Sequence, residues 1–160
     1  MHWGWAIDGR CPCMLVVFIF QLLTPMKTQS CLELSDVKAI AAAAEAEALK
    51  NNWAVSIAIV DMGGHLLHFA RLDGAPPVSA HIAPSKAHTA ALGRRESKVY
   101  EDVINGGRTS FLSAPSIQGM LEGGVPIMKD GFCLGAVGVS GVKSNEDAQI
   151  AKAGIAAIGL

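Results

Sequence analysis

The chain has 160 residues, enough for one domain with a sizeable core. Thirteen Lys and Arg stand against fourteen Asp and Glu, and no basic stripe is visible, which argues against nucleic acid as a partner. Hydrophobic residues make up 51% but aromatics only 6%, so the core must be built from Ala, Val, Ile and Leu, and the low charged fraction of 17% predicts an apolar surface closed by a homo-oligomer.

Residues 1–25 differ in character from the rest. The apolar run from Met14 to Leu23 is about half the length of a membrane-spanning helix. It has the length of a signal-peptide hydrophobic region, but Asp8 and Arg10 cancel in front of it and no small-x-small cleavage site follows. Residues 1–30 are therefore set apart as a leader: an over-long start upstream of Met26 ranks first, a degenerate signal peptide second and a membrane anchor last. The corresponding expectations are a cytoplasmic protein, or an exported one if the leader acts as a signal, with no membrane span and one domain over 31–160. The four cysteines form no framework: Cys11-x-Cys13 lacks the usual two-residue spacer, and Cys31 and Cys133 are isolated.

Leu34-Ser35-Asp36 opens a helix, with Ser35 as the expected N-cap, and Val37, Ile40, Ala41, Ala44 and Ala48 give it a narrow apolar stripe. Asn51-Asn52 ends it. Residues 54–60 are apolar on both alternating sets, which predicts a central strand covered on both faces. Asp61-Met62-Gly63-Gly64 turns the chain, and His65 to Leu72 returns as its partner. Ser79 to about Arg94 reads as helix, interrupted by Pro84, so that the helix either begins at Pro84 or kinks there. Glu96 to Ile104 is a short charged helix, and Arg108 to Glu122 is loop or broken strand. A second hairpin follows: Gly123 to Lys129, an Asp130-Gly131 turn suited to positive φ, then Phe132 to Ser140. Gly135 and Gly138 in its second strand predict a close backbone approach or a ligand against the sheet. The last helix runs from about Glu146 to Ile158, with Ser144 as expected N-cap and Asp147 as its capping carboxylate. Hairpins with helices before, between and after them define an α+β layered domain.

Several runs together resemble the GlcG/HbpS family, which includes haem-binding HbpS-like proteins and the C-terminal domain of PduO-type corrinoid adenosyltransferases. They are Asp61-x-Gly63-Gly64-His65, Arg71-Leu72-Asp73-Gly74-Ala75, Lys86-Ala87-His88-Thr89-Ala90, Gly123-Gly124-Val125-Pro126-Ile127, Gly135 to Gly141, and Asp147. The resemblance spans about residues 32–158. It implies a profilin-like fold with an antiparallel sheet of about five strands, assembly from dimers up to octamers, and a small-molecule ligand, with haem or a related tetrapyrrole as the expected cofactor.

Candidate site residues follow from both lines of reasoning. His65 and His68 are three apart in a strand and face opposite ways, so they cannot share one ion; His65, beside the Gly63-Gly64 turn, is the better placed. His81 and His88 lie roughly 10 Å apart along their helix, too far for one metal, though either suits a single axial ligand to haem iron. His65 or His88 is thus the expected iron ligand. No Cys-x-x-Cys-His run is present, so haem would be held non-covalently. Lys86 and Arg108, near glycine-rich turns, suit a carboxylate such as a propionate, although Lys86 would serve equally in an ion pair with Asp61, Asp73 or Asp147. The expected ligand site is the convergence of Gly63-Gly64, Lys86 and Gly123-Gly124. The alternative is an enzyme acting on a small carboxylate or an aromatic-catabolism intermediate, with His65 as acid/base and Lys86 or Arg108 as clamp.

Overall fold

The computed structural model describes residues 28–160; the leader expectations for residues 1–25 lie outside them. Four helices and four strands follow in the order α1 (Leu34–Lys50), β1 (Ser56–Asp61), β2 (Leu66–Arg71), α2 (Ser79–Gly93), α3 (Lys98–Asn105), β3 (Gly124–Lys129), β4 (Phe132–Ser140) and α4 (Ser144–Ala156), with a 3-10 turn at Thr109–Ser113. The strands form one antiparallel sheet in the order β2-β1-β4-β3. The sheet has four strands where about five were expected, because the stretch after Arg108 coils as a 3-10 turn and loop and adds no strand.

Alternation along β1 and β4 sorts their side chains onto two faces. Ile57, Ile59, Val137 and Val139 meet Val37, Ile40, Ala44 and Ile150 of α1 and α4 in the larger core. Ala58, Val60 and Ala136 meet Ala83, Ala87, Ala90 and Ala91 of α2 in a core made of small side chains. The small residues bring α2 very near the sheet: a Cβ on Gly138 would stand 2.5 Å from Ala87 N and overlap the Ala83 carbonyl oxygen. Gly138 is thus explained by helix backbone packed on strand backbone, the close approach its presence predicted, whereas a Cβ on Gly135 would overlap the Val60 carbonyl oxygen of β1.

Two local expectations shift by a residue or more. Helix α1 starts at Leu34 with Glu33 as N-cap, and Asp36 accepts the Glu33 N–H at 2.9 Å. In α4 the carboxylate that reaches back is Glu146, which accepts the Lys143 N–H at 3.1 Å, not Asp147. That single-residue shift frees Asp147 to turn inward. Helix α2 starts at Ser79 as read, so Pro84 lies inside it and does not begin it. Ser85 Oγ, next to the proline, donates to the His81 carbonyl at 2.9 Å, while the carbonyl that Pro84 leaves without an amide is that of Ala80.

Candidate functional site

The β1–β2 turn is closed by Asp61, whose Oδ1 accepts the amides of Gly63 (2.8 Å) and His65 (2.9 Å). Burial works against the Asp61 charge, but these bonds and the His65 ring hold its carboxyl below the ordinary aspartate range. Gly64 follows at φ +81°, where its bare Cα lets the His88 imidazole lie directly against it; any Cβ would overlap His88 Nδ1. Nδ1 of His88 is 3.2 Å from the Gly64 carbonyl oxygen. The turn therefore leaves room for a histidine of the protein itself.

Beside this contact a cleft of about 420 Å³ opens between the β1–β2 turn, α2 and the loop before β3. Its lining is in part apolar, from Val60, Leu66 and Pro84, and in part polar but uncharged, from Ser85, Ser116 and Gln118, and His88 lines it as well. With Nδ1 facing a carbonyl, that nitrogen carries the proton and Nε2 keeps its lone pair. Among the described residues Nε2 has no hydrogen-bond partner, and His88 lines the cleft.

The remaining expected site residues do not converge here. His65 is 81% exposed, its Nδ1 held 3.1 Å from Asp61 Oδ2, and it does not line the cleft. Lys86 is fully interior: its Nζ donates to Asp147 Oδ2 at 2.9 Å and to the Val139 carbonyl at 3.0 Å, with both partners of the ion pair at most 3% exposed. Gly123 and Gly124 are pressed against Lys86, Gly123 at φ +122° with a Cβ position 2.8 Å from Lys86 Nζ, so they serve this pair and not the cleft. Arg108 is exposed and stacks 4.8 Å above the Phe111 ring.

The reason for the split is geometric. Two residues apart on a helix, the Lys86 and His88 side chains leave α2 about 200° apart. One reaches the Val139 end of β4, the other the Gly64 turn. Because Val139 pairs with Ile57 and Gly135 with Asp61, these regions are about 13 Å apart along the sheet. An imidazole and an amine do not border one gap, and a His65 acid/base with a Lys86 or Arg108 clamp is not assembled. Among the described residues no group of three or more His, Cys, Asp or Glu could hold a metal ion, so an iron here would need most of its ligands from elsewhere. The wall residues Ser116 and Gln118 went unnoticed in the sequence, whose one signal there is Gly119, a glycine in a loop with no evident turn to make.

A layered α+β domain with an antiparallel sheet, and a cleft where a helix histidine meets a glycine turn, defines the class of protein. The chain belongs to the family described as haem degrading protein HbpS-like, whose model matches residues 32–156. It is 55% identical over 115 residues to Protein GlcG of Escherichia coli K12, covering 72% of this chain and 85% of that one. It is also similar to the crystal structure of HbpS, with a TM-score of 0.75 and 31% identity over 83% of this chain and 93% of that one. A crystal structure of a PduOC–heme complex aligns with a TM-score of 0.73 and 30% identity, covering 80% of this chain and 95% of the other.

Proposed function

We propose that this chain binds haem or a related tetrapyrrole non-covalently in the cleft beside Gly64, with His88 Nε2 as the axial ligand to iron. The observation that carries the reading is the His88–Gly64 contact. A carbonyl fixes the imidazole tautomer that leaves Nε2 as a donor, in a cleft also lined by Val60, Leu66 and Pro84. Membership in the HbpS-like family and likeness to a PduOC structure solved with heme support it. Haem, when bound, would supply the iron and its redox chemistry; this chain's own residues hold the imidazole and shield one face of the ring from water. A homo-oligomer, dimer to octamer, is proposed with it, because Leu66, Leu67 and Phe69 on the edge strand β2 are exposed.

The test is a haem titration followed at the Soret band. A saturable shift at a fixed stoichiometry is expected, lost or strongly weakened in His88→Ala and retained in His65→Ala. A featureless, non-saturating response rules out binding. Saturation that survives His88→Ala and fails in His65→Ala assigns the iron to the wrong imidazole.

A further inference from the structure

The two edges of the sheet differ in what they leave unpaired. Val139 N–H donates to the Gly123 carbonyl at 2.9 Å, so by alternation Gly124 and Pro126 turn their backbone groups away from β4. Ser97 meets the first, its N–H on the Gly124 carbonyl at 2.9 Å and its Oγ accepting the Gly124 N–H at 2.8 Å. Pro126 has no amide to offer. The β3 edge is closed. On β2, Leu72 N–H donates to the Val55 carbonyl at 2.9 Å, so Ala70 and His68 carry the bonds to β1 while Phe69 and Arg71 point theirs outward. Among the described residues nothing meets those outward groups.

Residues opposite one another in an antiparallel pair share a face, so Phe69 and Arg71 stand with Ala58 and Ser56 on the α2 side of the sheet. Phe69 is 37% exposed, and the exposed Arg71 is held by Nε and Nη2 on the Ala75 carbonyl at 3.1 and 2.8 Å. An apolar edge with open amides and carbonyls is a template for another strand. We propose that β2 pairs antiparallel with β2 of a second copy, about a two-fold axis at Ala70, so that Phe69 of each copy faces Arg71 of the other. The open groups select this register, because each Phe69–Arg71 pair exchanges both of its N–H···O bonds. Sliding one way would set Arg71 against Arg71, like charge on like charge. Sliding the other way would set it against Leu67, where the register shift between Ile59 and Val60 places an extra residue. In the chosen register each guanidinium lies across from an aromatic ring on the same face. The joint runs past the cleft, which Leu66 of the same strand lines. It rests on the homo-oligomer proposed above and names the contact.

Size exclusion with light scattering on the full chain, at low and high micromolar concentration, tests it together with hydrogen exchange. The parent is expected to assemble in even numbers of copies. Phe69→Lys, its fold checked by circular dichroism, should weaken assembly about tenfold or more, because the new ammonium faces Arg71 of the second copy. Adding Arg71→Glu to that variant should recover most of the loss, since opposite charges then face each other. In the parent, the Phe69 and Arg71 amides should exchange more slowly at the higher concentration, a readout that needs no variant to fold. The contact is overturned by unchanged assembly in folded Phe69→Lys, by no recovery in the double variant, or by Phe69 and Arg71 amides that exchange equally fast at both concentrations. If the parent still assembles in those cases, the homo-oligomer stands and uses another face. If the parent is a monomer throughout, both fall.

Discussion

Replacing Lys86 with Met removes the only side chain that neutralises a buried carboxylate in the described structure. Asp147 is 2% exposed and would keep one partner, the Val142 amide at 3.3 Å on Oδ1, while Oδ2 loses the ammonium at 2.9 Å. Breaking one side of a buried pair costs about 3–5 kcal/mol, whereas replacing both partners by apolar groups of similar volume is often neutral or better. Lys86→Met should therefore lower stability by about 3–5 kcal/mol, and Lys86→Met with Asp147→Leu should recover most of it, with a coupling of about 2 kcal/mol or more. The pH dependence gives an independent sign. Burial already pushes the Asp147 carboxyl above its ordinary value against the pull of Lys86, and losing Lys86 can only raise it further. A raised carboxyl means that the folded variant binds more protons than the unfolded chain, so its stability is greatest below the ordinary aspartate value of 3.8 and falls as pH rises through the folded pKa. The variant's deficit should shrink in acid. Urea denaturation of the parent, both single variants and the double variant at several pH values measures all of this. A deficit below about 1 kcal/mol in Lys86→Met, or a double variant as weak as the sum of the singles, would refute the buried-pair account.

Gly138→Ala forces a methyl into the α2 backbone at Ala83 and Ala87, and should destabilise by about 1–3 kcal/mol or more, read as a lower midpoint in urea. Gly64→Ala and Gly131→Ala share a positive φ, at +81° and +79°, but only the first meets a side chain, His88. Both should lose about 1–2 kcal/mol of stability, and Gly64→Ala alone should also weaken haem in the Soret titration; equal affinities would disconnect the turn from the site. Asp61→Asn should cost below about 1 kcal/mol at neutral pH, because the carboxylate is partly exposed. The Asp61 carboxyl is held below 3.8, so its contribution is present above that value and lost as pH falls through the lower folded pKa. Thermal melts of Asp61→Asn and parent should converge in acid, and a gap that widens there would show another origin.

Most of the elements are legible along the chain, because the physics that sets them is local. A run apolar on both alternating sets marked β1, Asp130-Gly131 marked a turn found at φ +50° and +79°, and Asn52 at φ +57° closes α1 as its residue type suggested. Family motifs carried the fold, apart from a strand count that the coiled segment after Arg108 reduced to four. Which residues meet was settled by packing. Lys86 and His88 sit two apart in one motif, yet helix geometry sends the amine into a buried ion pair and the imidazole to the Gly64 turn. Asp147 read as a cap until a one-residue shift gave that role to Glu146 and turned it inward. Neither outcome is written in spacing, because the direction of a side chain depends on what packs against its element, and those partners lie 61 residues away for Lys86 and 24 for His88.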